Sequence, residues 1–200
     1  MKGSLIIVGF FIAGTICGVC RLIPFDITQT NISYYALCAL MFSVGLSIGN
    51  DPQTLKNFRS LNPRLVFLPI MTILGTLAGT AATSLILTHR ELTDCLAIGS
   101  GFGYYSLSSI FITEYKGAEL GTIALLANIS REILTLLAAP LLVRWFGNLA
   151  PISAGGATTM DTTLPIITRT AGNEFVIVSI FHGFVVDFSV PFLVTLFCSI

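Results

Sequence analysis

The run from Leu120 to Val143 is apolar almost throughout, yet it carries Asn128-Ile-Ser-Arg131-Glu132 near its middle. At the centre of a bilayer a charged side chain costs roughly 2.5–3.5 kcal/mol on insertion scales. In a soluble fold the same stretch would be an ordinary helix face. In a membrane it marks a functional site by default, so the first question is which solvent surrounds it. Composition decides. Hydrophobic residues make up 54% of the chain and charged residues 10%, and the mean hydropathy is +0.89. Soluble domains carry about 25% charged residues. This chain cannot coat a globule with charge, and it is read as an all-α integral membrane protein. Its formal net charge is zero, which gives no footprint for nucleic acid.

Along the chain, Leu5 to Cys20, Asn31 to Ile48 and Leu65 to Thr88 read as helical spans. Met1 to Cys20 also has the basic start and short apolar core of a signal peptide, but no small-x-small cleavage site follows, and a retained first helix is expected. Gly9, Gly14 and Gly18 recur near helical spacing and suit close helix packing. Two further segments are unusual. Ala97 to Thr113 contains Gly99-Ser-Gly101-Phe-Gly103 followed by Tyr104, Tyr105, Ser106, Ser108 and Ser109. Each glycine costs a helix about 1 kcal/mol relative to alanine, so a continuous helix through Gly99–Gly103 is not expected. Pro151 to Pro165 is likewise interrupted, by Gly155-Gly156, four threonines and Asp161. The last span runs from Phe175 to Ile200 and contains His182, Asp187 and Pro191.

The expected architecture is a single transmembrane domain over 1–200. Helical spans occupy 5–88, a broken-helix core 95–168 with the charged span 120–143, and a last span 175–199. That gives six to seven passes at about 20 residues each, the count depending on whether each interrupted segment spans or re-enters. With both spanning, the amino terminus lies inside, and Lys2, Lys56, Arg59, Arg64, Lys116 and Arg169 face the cytoplasm. The basic bias agrees. Arg21, Arg90 and Arg144 then face out.

Interrupted helices on both sides of a charged span form a transporter pattern. Broken helices free backbone groups at mid-membrane, where they can hold a substrate and a coupling ion. The plainer alternative is tight helix packing by small residues. Asn128 and Glu132 share a helix face, with Arg131 flanking it. Glu132 and Asp161 are the candidate proton or cation carriers. Arg131 is the candidate structural counter-charge, with a carboxylate such as Asp161 as its partner. Gly101, Tyr104, Tyr105, Ser106, Asn128, Thr158 and Thr159 are the candidate substrate contacts, and Phe102 belongs with the aromatics that follow the break. His182 fits a hydrogen-bonded packing residue, and Asp187 fits either an ion ligand or an internal polar pocket.

Cys17-x-x-Cys20 has no second Cys/His pair, and the five cysteines read as small buried hydrophobes. No HExxH, GxSxG or P-loop is present. No enzyme, cofactor or metal site is expected, and transport without ATP would be secondary.

Four blocks in order carry a resemblance: Gly99–Ser109, Asn128-x-x-Arg131-Glu132, Gly155–Pro165 and His182-Gly-Phe184. Together they resemble the lysine exporter (LysO-type) family, most strongly from Ala97 to the end. The resemblance implies an inner-membrane, ion-driven exporter of L-lysine and its toxic analogue thialysine. It also implies distant kinship with cation/proton antiporters, with Glu132 and Asp161 on the family's intramembrane acidic positions. Full-length members carry further amino-terminal helices, so a small membrane partner, or a homo-oligomer, is expected to complete the site. Two other readings stay open. One is a transporter of the same fold for an organic acid or for sodium/proton exchange. The other is a non-transporting membrane subunit or intramembrane enzyme.

Overall fold

In the computed structural model, residues 63–87 and 89–200 are described, with Ile16, Cys17, Cys20, Tyr35 and Phe42 before them. Apart from those five residues, the expected spans Leu5–Cys20 and Asn31–Ile48, and the polar stretch up to residue 62, lie outside the described residues. Contacts divide the chain into two compact units, Met1–Ser47 and Ile48–Ile200. The second is described here. All its regular structure among the described residues is helical.

A 3₁₀ turn, Pro63–Val66, leads into α1, Phe67–Ser84. Two shorter helices follow, α2 (Leu92–Gly99) and α3 (Tyr105–Lys116). The long α4 covers Ala118–Phe146. It is bounded by Gly117 and Gly147, both at positive φ, where glycine adopts the backbone without strain. Then come α5 (Ala150–Gly155), a 3₁₀ stretch Gly156–Met160, α6 (Leu164–Ala171) and α7 (Val176–Ser199). Among the described residues, three helices are long and apolar enough to cross a membrane: Phe67–Ser84, Ala118–Phe146 and Asn173–Ser199. Their faces remain largely open within the chain. Leu126, Leu134, Leu137 and Leu141 of α4 and Phe188 and Phe192 of α7 are all exposed. That is the expected surface of a protein whose outer solvent is hydrocarbon.

Both interrupted segments re-enter. Placed end to end in one direction, α2 and α3 would separate their outer ends by about 30 Å, at 1.5 Å per residue. Instead Lys116, at the end of α3, pairs with Asp94, in the first turn of α2, at 3.4 Å. Arg90, just before α2, pairs with Glu119 at the start of α4. The chain therefore enters along α2, reverses at Ser100–Tyr104 and leaves along α3. The second segment has its base at the opposite end of the unit. There Ile152 of α5, Ile167 and Ala171 of α6 and Val178 of α7 form one buried cluster. Leu65, Leu68, Val143, Leu149 and Phe175 pack against it. So α5 and α6 also fold back on one another. The unit is three long helices holding two opposed hairpins. With this topology Lys116 lies on the same side as Arg90, and Arg144 on the same side as Arg169, which regroups the charges assigned above on the basis of spanning segments.

Candidate functional site

The two hairpin tips meet. The amide of Ala157 donates to the carbonyl of Phe102 at 2.9 Å, backbone to backbone. Phe102 is the only non-glycine residue with positive φ among the described residues, at 45°, and Gly103 follows at 93°. This reversal is tight because Gly156 faces it. A Cβ built on Gly156 would lie 2.2 Å from the Phe102 carbonyl oxygen, and its φ of +63° is one that other side chains rarely adopt. Gly155-Gly156 is thus the point of contact between hairpins, not merely a helix interruption.

One turn of α4 fastens both tips. Asn128 is buried. Its Oδ1 accepts the Gly103 amide at 2.8 Å, and its Nδ2 donates to the carbonyls of Ile98 at 3.1 Å and Ala124 at 2.9 Å. The carboxamide replaces the helical partners that the break at Ser100–Tyr104 removed. In hydrocarbon those backbone groups have no water to turn to. Three residues on, Arg131 does the same for the second hairpin. Its Nε donates to the Ala154 carbonyl at 2.8 Å and its Nη2 to the Ser153 carbonyl at 3.1 Å. Its Nη1 reaches Thr76 Oγ1 at 3.3 Å, and the guanidinium lies over the Phe102 ring, 5.9 Å from the centroid.

Arg131 therefore does not pair with Asp161, as the sequence reading allowed. No carboxylate among the described residues pairs with it. The reason is geometric. The carbonyls at the end of α5 carry the negative end of a helix and lie against Arg131. Asp161 sits beyond the 3₁₀ stretch, exposed, with Oδ1 accepting the Thr162 amide at 2.5 Å.

Glu132 is half-buried and carries no hydrogen bond or ion pair among the described residues. Nothing ties it to Asp161, so the two acids do not form one contacting pair. Asp161 falls instead within electrostatic range of Asp187 and of the Tyr104 phenol. Asp187 is buried on α7, and its Oδ1 has no hydrogen-bond partner.

The remaining candidates divide. Tyr104 and Tyr105 are half-buried and Ser106 is exposed, at the start of α3. Thr158 and Thr159 are buried and their hydroxyls are spent on the fold. Thr158 donates to the Gly155 carbonyl at 2.9 Å, and Thr159 to the Gly156 carbonyl at 2.8 Å and the Ser179 carbonyl at 2.9 Å. Gly101 makes room for Asn128, whose Nδ2 would lie 2.5 Å from an added Cβ. His182 is a buried hydrogen-bonded bridge: Nε2 lies 2.9 Å from Thr72 Oγ1 and Nδ1 3.3 Å from Thr159 Oγ1. Thr72 in turn contacts Ser153 Oγ at 2.5 Å. Thr72, Thr76 and Ser153 were not singled out from the sequence. Hydroxyls on α1 look like packing residues until the hairpin they touch is known.

Comparison with known proteins gives the chain a family. The model of the family described as "Lysine exporter LysO" matches residues 8–198. The chain is 36% identical to the "Lysine exporter LysO" of Escherichia coli (strain K12) over 170 residues, which is 85% of this chain and 56% of that protein. It is 36% identical over 165 residues to a "Putative lysine exporter" of Haemophilus influenzae, covering 82% of this chain and 83% of that one. The chain thus spans about half the length of the Escherichia coli relative. No solved structure matches.

Proposed function

Because the chain belongs to the lysine exporter LysO family, we propose that it acts within a secondary transporter that exports L-lysine, and analogues such as thialysine, across the inner membrane. In this reading residues 1–200 form one transport domain and an ion gradient drives export. The observation that carries the reading is the Asn128–Glu132 turn. Asn128 and Arg131 are consumed in holding the hairpin tips, and Glu132, on the same turn, is left unpaired among the described residues. An unpaired acid beside a mid-membrane break is suited to bind and release a proton or cation.

Asp161, exposed at the tip of the second hairpin, is the other proposed coupling group. Tyr104, Tyr105 and Ser106 supply substrate contacts beside it, and the small polar residues Gly101, Asn128, Thr158 and Thr159 shape the tips. An organic acid fits less well, since the guanidinium of Arg131 is already occupied by carbonyls. Sodium/proton exchange is the second reading, and the acids of the tip region favour it.

Lysine efflux from preloaded proteoliposomes, with and without a proton or sodium gradient, tests the proposal. Glu132→Gln is expected to abolish gradient-driven efflux while the protein elutes and unfolds like wild type. Wild-type transport by that variant would refute the coupling role. Efflux of sodium but not lysine would select the second reading.

A further inference from the structure

Asp187 is the one acid of the described residues that the fold buries and leaves unmatched by any cation. Its residue is 5% exposed, and Oδ1 has neither solvent contact nor hydrogen-bond partner. The other buried acidic oxygen without a hydrogen bond, Oδ1 of Asp94, lies 3.4 Å from Lys116 Nζ. A carboxylate removed from water without a counter-charge is among the most expensive groups a fold can contain. It calls for a positive partner that no described residue supplies.

The surroundings indicate where that partner sits. α7 packs tightly against the second hairpin at Gly183, where an added Cβ would lie 2.7 Å from the Met160 amide nitrogen and 3.0 Å from the Ala157 carbonyl oxygen. Asp187 is four residues on, so it shares that face one turn further along. There it comes within electrostatic range of Asp161, the residue after Met160. From the first hairpin Tyr104 comes within range of both acids. On α7 itself, His182 is turned to Thr72 and Thr159. Arg131 is held by the Ser153 and Ala154 carbonyls, and Lys116 by Asp94 near the end of the bundle that also holds Cys198. No basic side chain of the described residues is paired with either Asp161 or Asp187.

We propose that Asp187 is a ligand for a small monovalent cation, bound between α7 and the two hairpin tips with Asp161 and the Tyr104 hydroxyl. Its buried carboxylate supplies the fixed charge. Asp161, on the exposed side of the site, meets the cation from the open face. The cation has two possible sources: an ammonium group of an amino acid or diamine, or an inorganic ion, sodium or a proton. Its place in a transport cycle rests on the export reading; binding itself does not.

The experiment is calorimetric titration of the full chain in lipid nanodiscs with L-lysine, cadaverine and sodium chloride separately. Proton release is followed in weak buffer. Asp187→Asn is expected to weaken whichever cation the wild type binds by about tenfold or more, the loss of one charge-assisted contact. Asp187→Glu, which keeps the charge, is expected to retain most of the affinity. Binding of lysine and cadaverine identifies an ammonium site; binding of sodium alone, or proton uptake alone that the Asn variant lacks, identifies an ion site. Wild-type affinity in the Asn variant overturns the proposal, as does a wild type that binds none of these and titrates like the variant. Should Asp187→Asn fail to fold, Asp161→Asn and Tyr104→Phe carry the test, and unchanged affinity in both overturns it. Cation binding without lysine export would refute the export reading and leave this site standing. Lysine export with unaltered binding in Asp187→Asn would do the reverse.

Discussion

Asn128 and Arg131 show how a polar residue in an apolar helix can be wholly structural. Each replaces hydrogen bonds that a hairpin tip gave up. Asn128→Ala leaves the buried Gly103 amide without its partner and takes from the Ile98 carbonyl one of its two donors, the Gly101 amide being the other. Stranding buried groups of this kind costs about 1–3 kcal/mol. The expected outcome is a clear drop in thermal stability of the purified protein, with the first hairpin becoming accessible to protease before the rest. Asn128→Asp keeps the acceptor for Gly103 but sets a buried carboxylate oxygen against the Ile98 and Ala124 carbonyls, so it should destabilise at least as much as alanine. Gly156→Ala tests the contact between tips. It meets the Phe102 carbonyl at 2.2 Å and adopts an unfavourable φ, whereas Gly147, also at positive φ, has nothing within 4 Å. Gly156→Ala is therefore expected to impair folding and efflux well beyond Gly147→Ala, measured side by side. Equal effects would mean that backbone strain alone, and not the meeting of tips, matters at Gly156.

At the level of elements, the sequence disclosed the breaks but not their direction. Gly99–Gly103 and Gly155-Gly156 are readable as interruptions because glycine penalises a helix wherever it lies. Whether the chain then continues or turns back depends on contacts between residues far apart, such as Lys116 with Asp94 and Arg90 with Glu119. Hydropathy contains no such information. The partner of Arg131 was hidden for a related reason: a search for carboxylates passes over backbone carbonyls, which every sequence contains and none displays. Re-entry makes a sharp prediction. In a chain with its native cysteines replaced, single cysteines at Arg90 and Lys116 should react with an impermeant thiol reagent from one face of the membrane. A cysteine at Arg169 should react from the other. Opposite labelling of Arg90 and Lys116 would mean that the first segment crosses.

In the second unit, among the described residues, the long helices form a frame and the hairpins form its contents. The three long helices expose leucine and phenylalanine outward, while their inward faces carry Thr72, Asn128, Arg131, His182 and Asp187. What the frame requires beyond itself is the remaining prediction. If a second membrane component, or another copy of the chain, completes the transport path, the purified chain alone should export lysine from liposomes poorly. Activity should return when that component is restored or when the oligomer is preserved. Full efflux by a monodisperse single copy would remove the need for either.

The fastening of both tips to one turn of α4 has a consequence for how the protein is made. Residues 92–116 leave the ribosome before residues 118–146, so the first hairpin is synthesised ahead of the helix that satisfies it. Until Asn128 arrives, the Gly103 amide faces either water or hydrocarbon without its native partner, and the Ile98 carbonyl has only the Gly101 amide. The first hairpin cannot settle at mid-membrane on its own, and the second, synthesised afterwards, finds Arg131 already in place. The first hairpin thus gains its last native bonds only once the central helix is made.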